Sequence, residues 1–558
     1  MARYALGLDF GTESVRALLV DVATGEPVAT AVEPYPDGVI DERLPGSNLP
    51  LPPDWALQNP SDWLSTMEKT VTAVMRASGA GPDAVIGIGL DFTACTILPT
   101  TADGTPLHTL PAYRARPHAW AKLWKHHAAQ PQADRVNALA SARGDTWPRR
   151  YGGKISSEWL IPKALQMLEE DPELYDAAAR IVEGADWIVW QLTGVLARNA
   201  CAAGYKGTWH KVEGYLPAAF LAALHPKLAR LYDDKIAGPV VAPGTRVGGL
   251  VPAWAARLGL APGTPVAAGI IDAHAAAPGG GVTQPGVMFM IMGTSTCHML
   301  MATQEVPVEG IAGVVEDGIV PGLFGYEAGQ AGAGDIFAWF VEQAVPPSYH
   351  EEAAQRRVSL HEVLAERAAA QRPGQHGLLA LDWWNGNRSV LVDAELSGLL
   401  IGATLATKPE DIYRALIEAT AFGTRLIIEA FTDQGLAVNR IVAGGGLAKN
   451  PMLMQIYADI TGRELAVAGS AQPSALGAAM LAAVAAGPEG GGYATLADAA
   501  AHMAPPPARV YRPVAEHRPV YDMLYGEYRR LHDTFGRGEN NVMKVLRRLR
   551  RAQMAAKG

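Results

Sequence analysis

"LGLDFGTESVRALLVD", Leu6 to Asp21, is the stretch on which the fold turns. Apolar residues alternate on both sides of Gly11-Thr12, a pattern that predicts two strands joined by a tight turn. Inside it sit a carboxylate, Asp9, two small hydroxyls, Thr12 and Ser14, and Arg16. A turn with successive exposed N–H groups and hydroxyls is an anion-binding concavity, so the hairpin suits a phosphate. A plain hairpin with a polar turn accounts for the same residues. Asp9 alone fits either a turn cap or a Mg²⁺ ligand acting through water, because Mg²⁺ takes oxygen ligands and keeps part of its hydration shell.

A second stretch of the same kind weighs on the choice. "VMFMIMGTSTCHMLMA", Val287 to Ala302, again runs strand, Gly293-Thr294 turn, strand, and it follows a Gly/Pro-rich interruption, "PGGGVTQPG", near Gly279. Similar hairpins at corresponding points of two halves indicate an internal duplication. The expected division is residues 1–280, residues 281–540 and a basic tail, 541–558. Two such turns could grip one polyphosphate between domains. A third element, "AGGGLAKN" from Ala443 to Asn450, places Gly445 and Gly446 between a strand and a helix, where missing side chains let a base or ribose approach the backbone. Asp272 in "AAGIIDAHAAA" follows an apolar strand just before the boundary, where a carboxylate facing the cleft can accept a proton from a hydroxyl attacking a γ-phosphate. His274 has no second histidine at ligand spacing and reads as structural. No P-loop and no dinucleotide fingerprint occurs, so nucleotide binding uses another architecture.

The bulk numbers agree with a large folded protein. A chain of 558 residues, 49% apolar and 18% charged, exceeds what one core serves. Its formal charge of -9 offers no general basic surface, so neither nucleic acid nor a membrane is an expected partner. "MARYALGLDFGTE" shows no secretory signal, and Cys95, Cys201 and Cys297 are too far apart for a zinc or disulfide framework, which fits a cytoplasmic setting. Ser61 is expected to cap a helix carrying Leu64, Met67, Val71, Val74 and Met75, and Pro45 to Pro53 is expected to lack regular structure. The last third reads β-α-β-α, with the Ala-rich segment 475–487 closing that unit. The aromatic and polar mixture between residues 111 and 260 suits a polyol pocket. An apolar face on the basic tail helix leaves room for a homodimer.

Taken together, "LDFGTESVRALLVD", "GIIDAHAA", "MGTSTCHM" and "GGGLAKNPMLMQIYADI" resemble, in order and spacing, the signature segments of the FGGY carbohydrate kinases. The resemblance implies an α/β fold of two actin-like (ribonuclease H-like) domains with an interdomain active-site cleft. It also implies ATP and Mg²⁺, with Asp272 as base and Asp9 at the metal. "GLDFTACTILP", "ARPHAWAKLWKHHAAQ", "YGGKISSEWLIPK", "GYKGTWH" and "FGYEAGQAGAGDIFAWF" resemble the members that phosphorylate ribulose at O5 in arabinose catabolism. Members acting on glycerol or xylulose carry a Gln where this chain has Asp91-Phe92-Thr93-Ala94. By the same resemblance the sugar meets Ala94, Trp124, Lys206, Asp272 and Glu327, and ATP meets Gly11, Thr12, Ser14, Arg16, Gly293, Thr294, Gly445, Gly446 and Asn450. The competing readings are a family member acting on ribitol, D-ribulose or xylulose, and an actin- or chaperone-like ATPase. The latter would need a peptide-binding domain for which the tail is too short.

Overall fold

The computed structural model describes residues 2–47 and 50–555, so Asn48 and Leu49 of the Pro-rich stretch and the last three residues of the tail lie outside the described residues. The opening hairpin is present: β1 (Tyr4–Phe10) and β2 (Ser14–Asp21) pair antiparallel, β2 pairs with β3 (Pro27–Pro34), and β1 runs parallel to β4 (Val85–Phe92). With β5 (Arg246–Gly249), β6 (Pro265–Ala267) and β7 (Ile270–Ile271) these form a seven-stranded sheet of order β5-β6-β4-β1-β2-β3, β7 pairing with the far end of β4. Its centre is apolar on both faces because helices cover both, as a parallel core requires.

The second hairpin starts an equivalent sheet. β8 (Gly286–Met292) pairs antiparallel with β9 (Thr296–Ala302), and β10 (Gly313–Glu316) and β11 (Phe324–Gln330) extend that side. On the other side β8 is parallel to β12 (Val438–Gly444), which is followed by β13 (Glu464–Val467) and β14 (Arg509–Tyr511). The orders β3-β2-β1-β4-β6 and β11-β9-β8-β12-β13 are the same arrangement twice. These are two ribonuclease H-like domains of duplicated topology.

Helix α1 (Pro60–Ser78) lies over β2 and β3 and buries Met67, Val71, Val74 and Met75, four of the five expected residues. Its cap differs from expectation. Asn59, not Ser61, accepts the free N–H, from Ser61 at 3.0 Å, because Pro60 already occupies the first helical turn. The segment between β3 and α1 and the long insertion between β4 and β5 together build a separate core, with α2 (Leu160–Glu170) packed beside a small sheet (Leu57–Gln58, Ile97–Thr100, Ala121–Lys122, Arg180–Glu183) and Trp55, Trp120 and Trp159 buried within. The aromatics of the middle segment are mostly this core.

The seam between the sheets is made of small residues. α3 (Asp272–Gly279) and the Ala-rich α6 (Pro473–Gly490, broken at Gly487) cross between them, sharing one core with Ala5 and Leu18 of the first sheet and Phe289 and Met301 of the second. The Ala-rich helix therefore does not close the last β-α unit as its sequence position implied; it packs on β1 and β4. Helix α4 (Pro409–Thr432) and α5 (Pro451–Thr461) cover the outer face of the second sheet. Gly89 on β4 permits the close approach of α6, since a Cβ there would strike the Ala478 carbonyl. The tail helix α7 (Val542–Ala555) is held by Lys544 to Asp393 at 2.6 Å and Arg551 to Glu395 at 2.8 Å, with Val545, Leu546 and Leu549 exposed. Among the described residues no helix is long and apolar enough to cross a membrane.

Candidate active site

The pairing of β1 with β4 sets two copies of one tetrapeptide side by side. Gly7-Leu8-Asp9-Phe10 and Gly89-Leu90-Asp91-Phe92 match residue for residue in parallel register, the two phenyl rings stacking at 5.1 Å. Asp9 and Asp91 consequently stand next to each other at the strand ends. On the other side of β4, Ile270 and Ile271 pair with Asp91 and Phe92, which delivers Asp272 to the same rim as the first residue of α3. Three acids at the ends of three strands thus converge, and the Arg16 guanidinium lies opposite Asp9 in the hairpin register and donates to it at 2.7 Å.

Their protonation follows from this crowding. Burial, then the charge of Asp9, pushes Asp272 up from 3.8 to about 7, even though its Oδ1 accepts the Ala273 N–H at 2.7 Å. Asp91 is fully buried, has no hydrogen-bond partner on either carboxyl oxygen, and is driven well above the carboxylate range by burial and then by Asp9 and Asp272. The pair Asp9–Asp91 is short of positive charge, which fits a cation. Among the described residues no three acids, histidines or cysteines form a metal cage by themselves.

Across the seam Glu327 projects from β11. Its carboxylate pairs with the Arg388 guanidinium and lies 3.2 Å from His274 Nε2. Burial opposes its charge, but Lys206, Arg388 and His274 overcome that and hold it well below the usual carboxylate range. His274, read as structural, is buried with its Nδ1 3.0 Å from Cys201 Sγ, so it couples Glu327 to the helix that begins with Asp272. Lys206 is buried, its ammonium 5.4 Å from the centre of the Trp159 ring. Ala94 is half-buried in the turn after β4, and Trp124, 38% exposed, donates from Nε1 to Thr12 Oγ1 at 3.1 Å, joining the insertion to the first hairpin.

The two glycine turns close in the same way on their own main chain. Gly11 N–H closes its turn on the Ser14 carbonyl at 3.0 Å, and Gly293 N–H does the same on Ser295 at 2.9 Å. The main chain of Ala333 and Gly334 braces Thr294 and Gly293 from behind, at 2.8 and 3.0 Å. Gly444 pairs with Ile291, which brings Gly445 against the end of β8, and Gly445 has φ +91°, a conformation that favours glycine. Gly446 is exposed beside it, while the Asn450 side-chain oxygen caps α5 by accepting from Leu453 at 3.2 Å.

The acid, sugar-facing and glycine groups predicted from sequence therefore fall into three neighbourhoods: Asp9, Arg16 and Asp272 on the first sheet; Lys206 and Glu327 across the seam; Gly293, Thr294, Gly445 and Gly446 at the end of the second sheet. Sequence reasoning missed Asp91 and Arg388. The repeated Gly-Leu-Asp-Phe would have exposed the first; nothing local marks Arg388, a loop arginine in "WWNGNRSV".

Comparison with known proteins gives the same architecture a family. The N-terminal domain of the FGGY family of carbohydrate kinases matches residues 4–279 and its C-terminal domain matches 288–486. A ribulokinase of Geobacillus thermodenitrificans is 56% identical over 556 residues, covering 100% of this chain and 98% of its own length. One of Mycolicibacterium smegmatis is 51% identical over 550 residues, covering 98% and 96%. Among solved structures, xylulose kinase from Rhodospirillum rubrum superposes with a TM-score of 0.76 at 22% identity over 95% of this chain and 99% of that one. Plasmodium falciparum glycerol kinase with ADP gives 0.74 at 15% identity over 95% and 98%. At these identities the structures are similar in fold alone.

Proposed function

The chain belongs to the FGGY family of carbohydrate kinases, and from that premise we propose that it transfers the γ-phosphoryl group of ATP to O5 of L-ribulose, forming L-ribulose 5-phosphate and ADP. The observation that carries this reading is Asp272: a carboxyl group with its pKa raised to about 7, on the seam between two glycine-hairpin domains, beside a counter-charged Glu327. Such a group is about half ionised at neutral pH and basic enough in that form to accept a hydroxyl proton.

In this mechanism Ala94, Trp124, Lys206 and Glu327 bind and orient the sugar, and Asp272 faces O5. Asp272 Oδ1 is engaged by the Ala273 N–H, which leaves Oδ2 for the sugar hydroxyl. As O5 attacks, its proton passes to Asp272, the O5–P bond forms, and the bond from γ-phosphorus to the β,γ-bridging oxygen breaks, releasing ADP. Gly11, Thr12, Ser14 and Arg16 from the first domain, residues 1–280, and Gly293 and Thr294 from the second, 281–540, hold the phosphates. Gly445, Gly446 and Asn450 line the adenosine side. Asp9 would hold Mg²⁺, which when bound neutralises charge on the β- and γ-phosphates. Closure of the domains excludes water, which would otherwise hydrolyse ATP.

The test is coupled ADP release with L-ribulose, D-ribulose, xylulose and ribitol. L-ribulose is expected to give the highest kcat/KM. A higher value with another sugar reassigns the substrate within the family, and ADP release indifferent to every sugar overturns the kinase reading in favour of an ATPase.

A further inference from the structure

Lys163 stands one turn into α2, wholly buried, and its ammonium donates to two backbone carbonyls, Cys95 at 2.6 Å and Leu123 at 2.8 Å. Each carbonyl belongs to the residue next to a sugar-facing one: Cys95 follows Ala94, and Leu123 precedes Trp124. Cys95 also has φ +46°, a left-handed conformation that a side chain rarely adopts without outside support. The same end of α2 reaches a third sugar-facing residue. Leu160 N–H donates to the Lys206 carbonyl at 3.1 Å, and the Trp159 ring lies under the Lys206 ammonium. Ala94, Trp124 and Lys206 come from three separate segments, yet all are referenced to the five residues Trp159 to Lys163.

A buried ammonium is a costly way to fill space. Leucine or methionine would pack the site without the desolvation penalty, and the lysine is retained against it: burial is the largest cause of its lowered pKa. What an apolar residue cannot do is bind two carbonyls at once. The pairing of Ile97 with Lys122 lays the two segments alongside each other but does not include Cys95 or Leu123. The ammonium supplies that missing tie.

We propose that Lys163 is a positioning residue of the sugar site: it fixes the distance between the Ala94 turn and the Trp124 segment, and thereby determines which arrangement of hydroxyls the pocket accepts. It touches no substrate and acts through the two main-chain carbonyls. The inference rests on the sugar-kinase reading above.

The experiment compares wild type with Lys163→Met, which keeps the length and loses the donors, and Lys163→Gln, which keeps an N–H donor. In Lys163→Met the KM for L-ribulose is expected to rise about 10- to 100-fold, the scale of loss that a misplacement of roughly 1 Å produces. The preference for L-ribulose over D-ribulose and xylulose is expected to shrink, the KM for ATP to stay as in wild type, and Lys163→Gln to recover part of both. A Met variant with wild-type KM and discrimination overturns the proposal. So does a parallel loss toward sugar and ATP, or failure of both variants to fold by circular dichroism, since either outcome makes the lysine a residue of core stability. Wild type that phosphorylates no pentulose sinks the kinase reading instead, and the two failures are told apart by that arm.

Discussion

Lowering the pH from 8 to 5 is expected to switch this enzyme off through one group. Asp272 rises from 3.8 to about 7, chiefly by burial and then by the neighbouring Asp9 charge. An increase of about three pH units is roughly 4 kcal/mol of bias against the ionised form. Only that form accepts a proton, so kcat/KM for the sugar falls about tenfold at pH 6 and about a hundredfold at pH 5 relative to its plateau. An Asp272 with the ordinary value would remain almost fully ionised at pH 5, and the profile would be flat. The assay is coupled ADP release across pH 5 to 9 at saturating ATP, with Asp272→Asn as control, whose turnover is expected to fall about 10²- to 10⁴-fold. The same bias has a stability sign. A carboxyl group whose folded pKa lies above its unfolded value destabilises the fold as pH rises between the two, so Asp272→Asn is expected to melt higher than wild type at pH 8 and not at pH 4. Asp272 retains partial exposure, so solvent screens part of the effect, leaving a gain of about 1–2 kcal/mol. A flat rate profile down to pH 5, or an Asn variant less stable than wild type at pH 8, would refute the reasoning.

Two further substitutions probe the seam. Arg388→Met removes the guanidinium from a buried carboxylate that Lys206 and His274 only partly compensate; a KM for sugar raised about tenfold with the KM for ATP unchanged is the expected outcome in steady-state kinetics. Glu327 is depressed, so its contribution to stability is present above the ordinary carboxylate range and lost as pH falls through its folded value; in Arg388→Met that loss begins at higher pH, which acid denaturation will register. Gly89→Ala drives a Cβ toward the Ala478 carbonyl and is expected to lower stability by about 1–3 kcal/mol in a chemical melt, the usual penalty of an overfilled contact.

How much of the fold is legible in the sequence depends on how local each signal is. The two hairpins were legible because period-two alternation and a Gly-Thr turn are written within sixteen residues, and Asp272 because an acid ending an apolar strand is anomalous on its own. The position of the Ala-rich helix was not. Small residues on every face give it no preferred side, and the feature that selects its partner, the glycines of β1 and β4, lies some four hundred residues earlier. Lys163 and Arg388 escaped for a related reason. A lysine or arginine reads as solvated until the carbonyls or carboxylate that hold it are known, and those are tertiary facts. Asp91 is the instructive case, because its signal is present in the one-dimensional text as a repeat of Gly-Leu-Asp-Phe. A repeat that short carries no weight until parallel pairing sets the copies in register; then the two acids are forced together at the strand ends, and the Asp9 charge that adds to burial in raising Asp272 follows from topology. In this fold the basicity of the proposed base comes first from burial and then from which strands are neighbours.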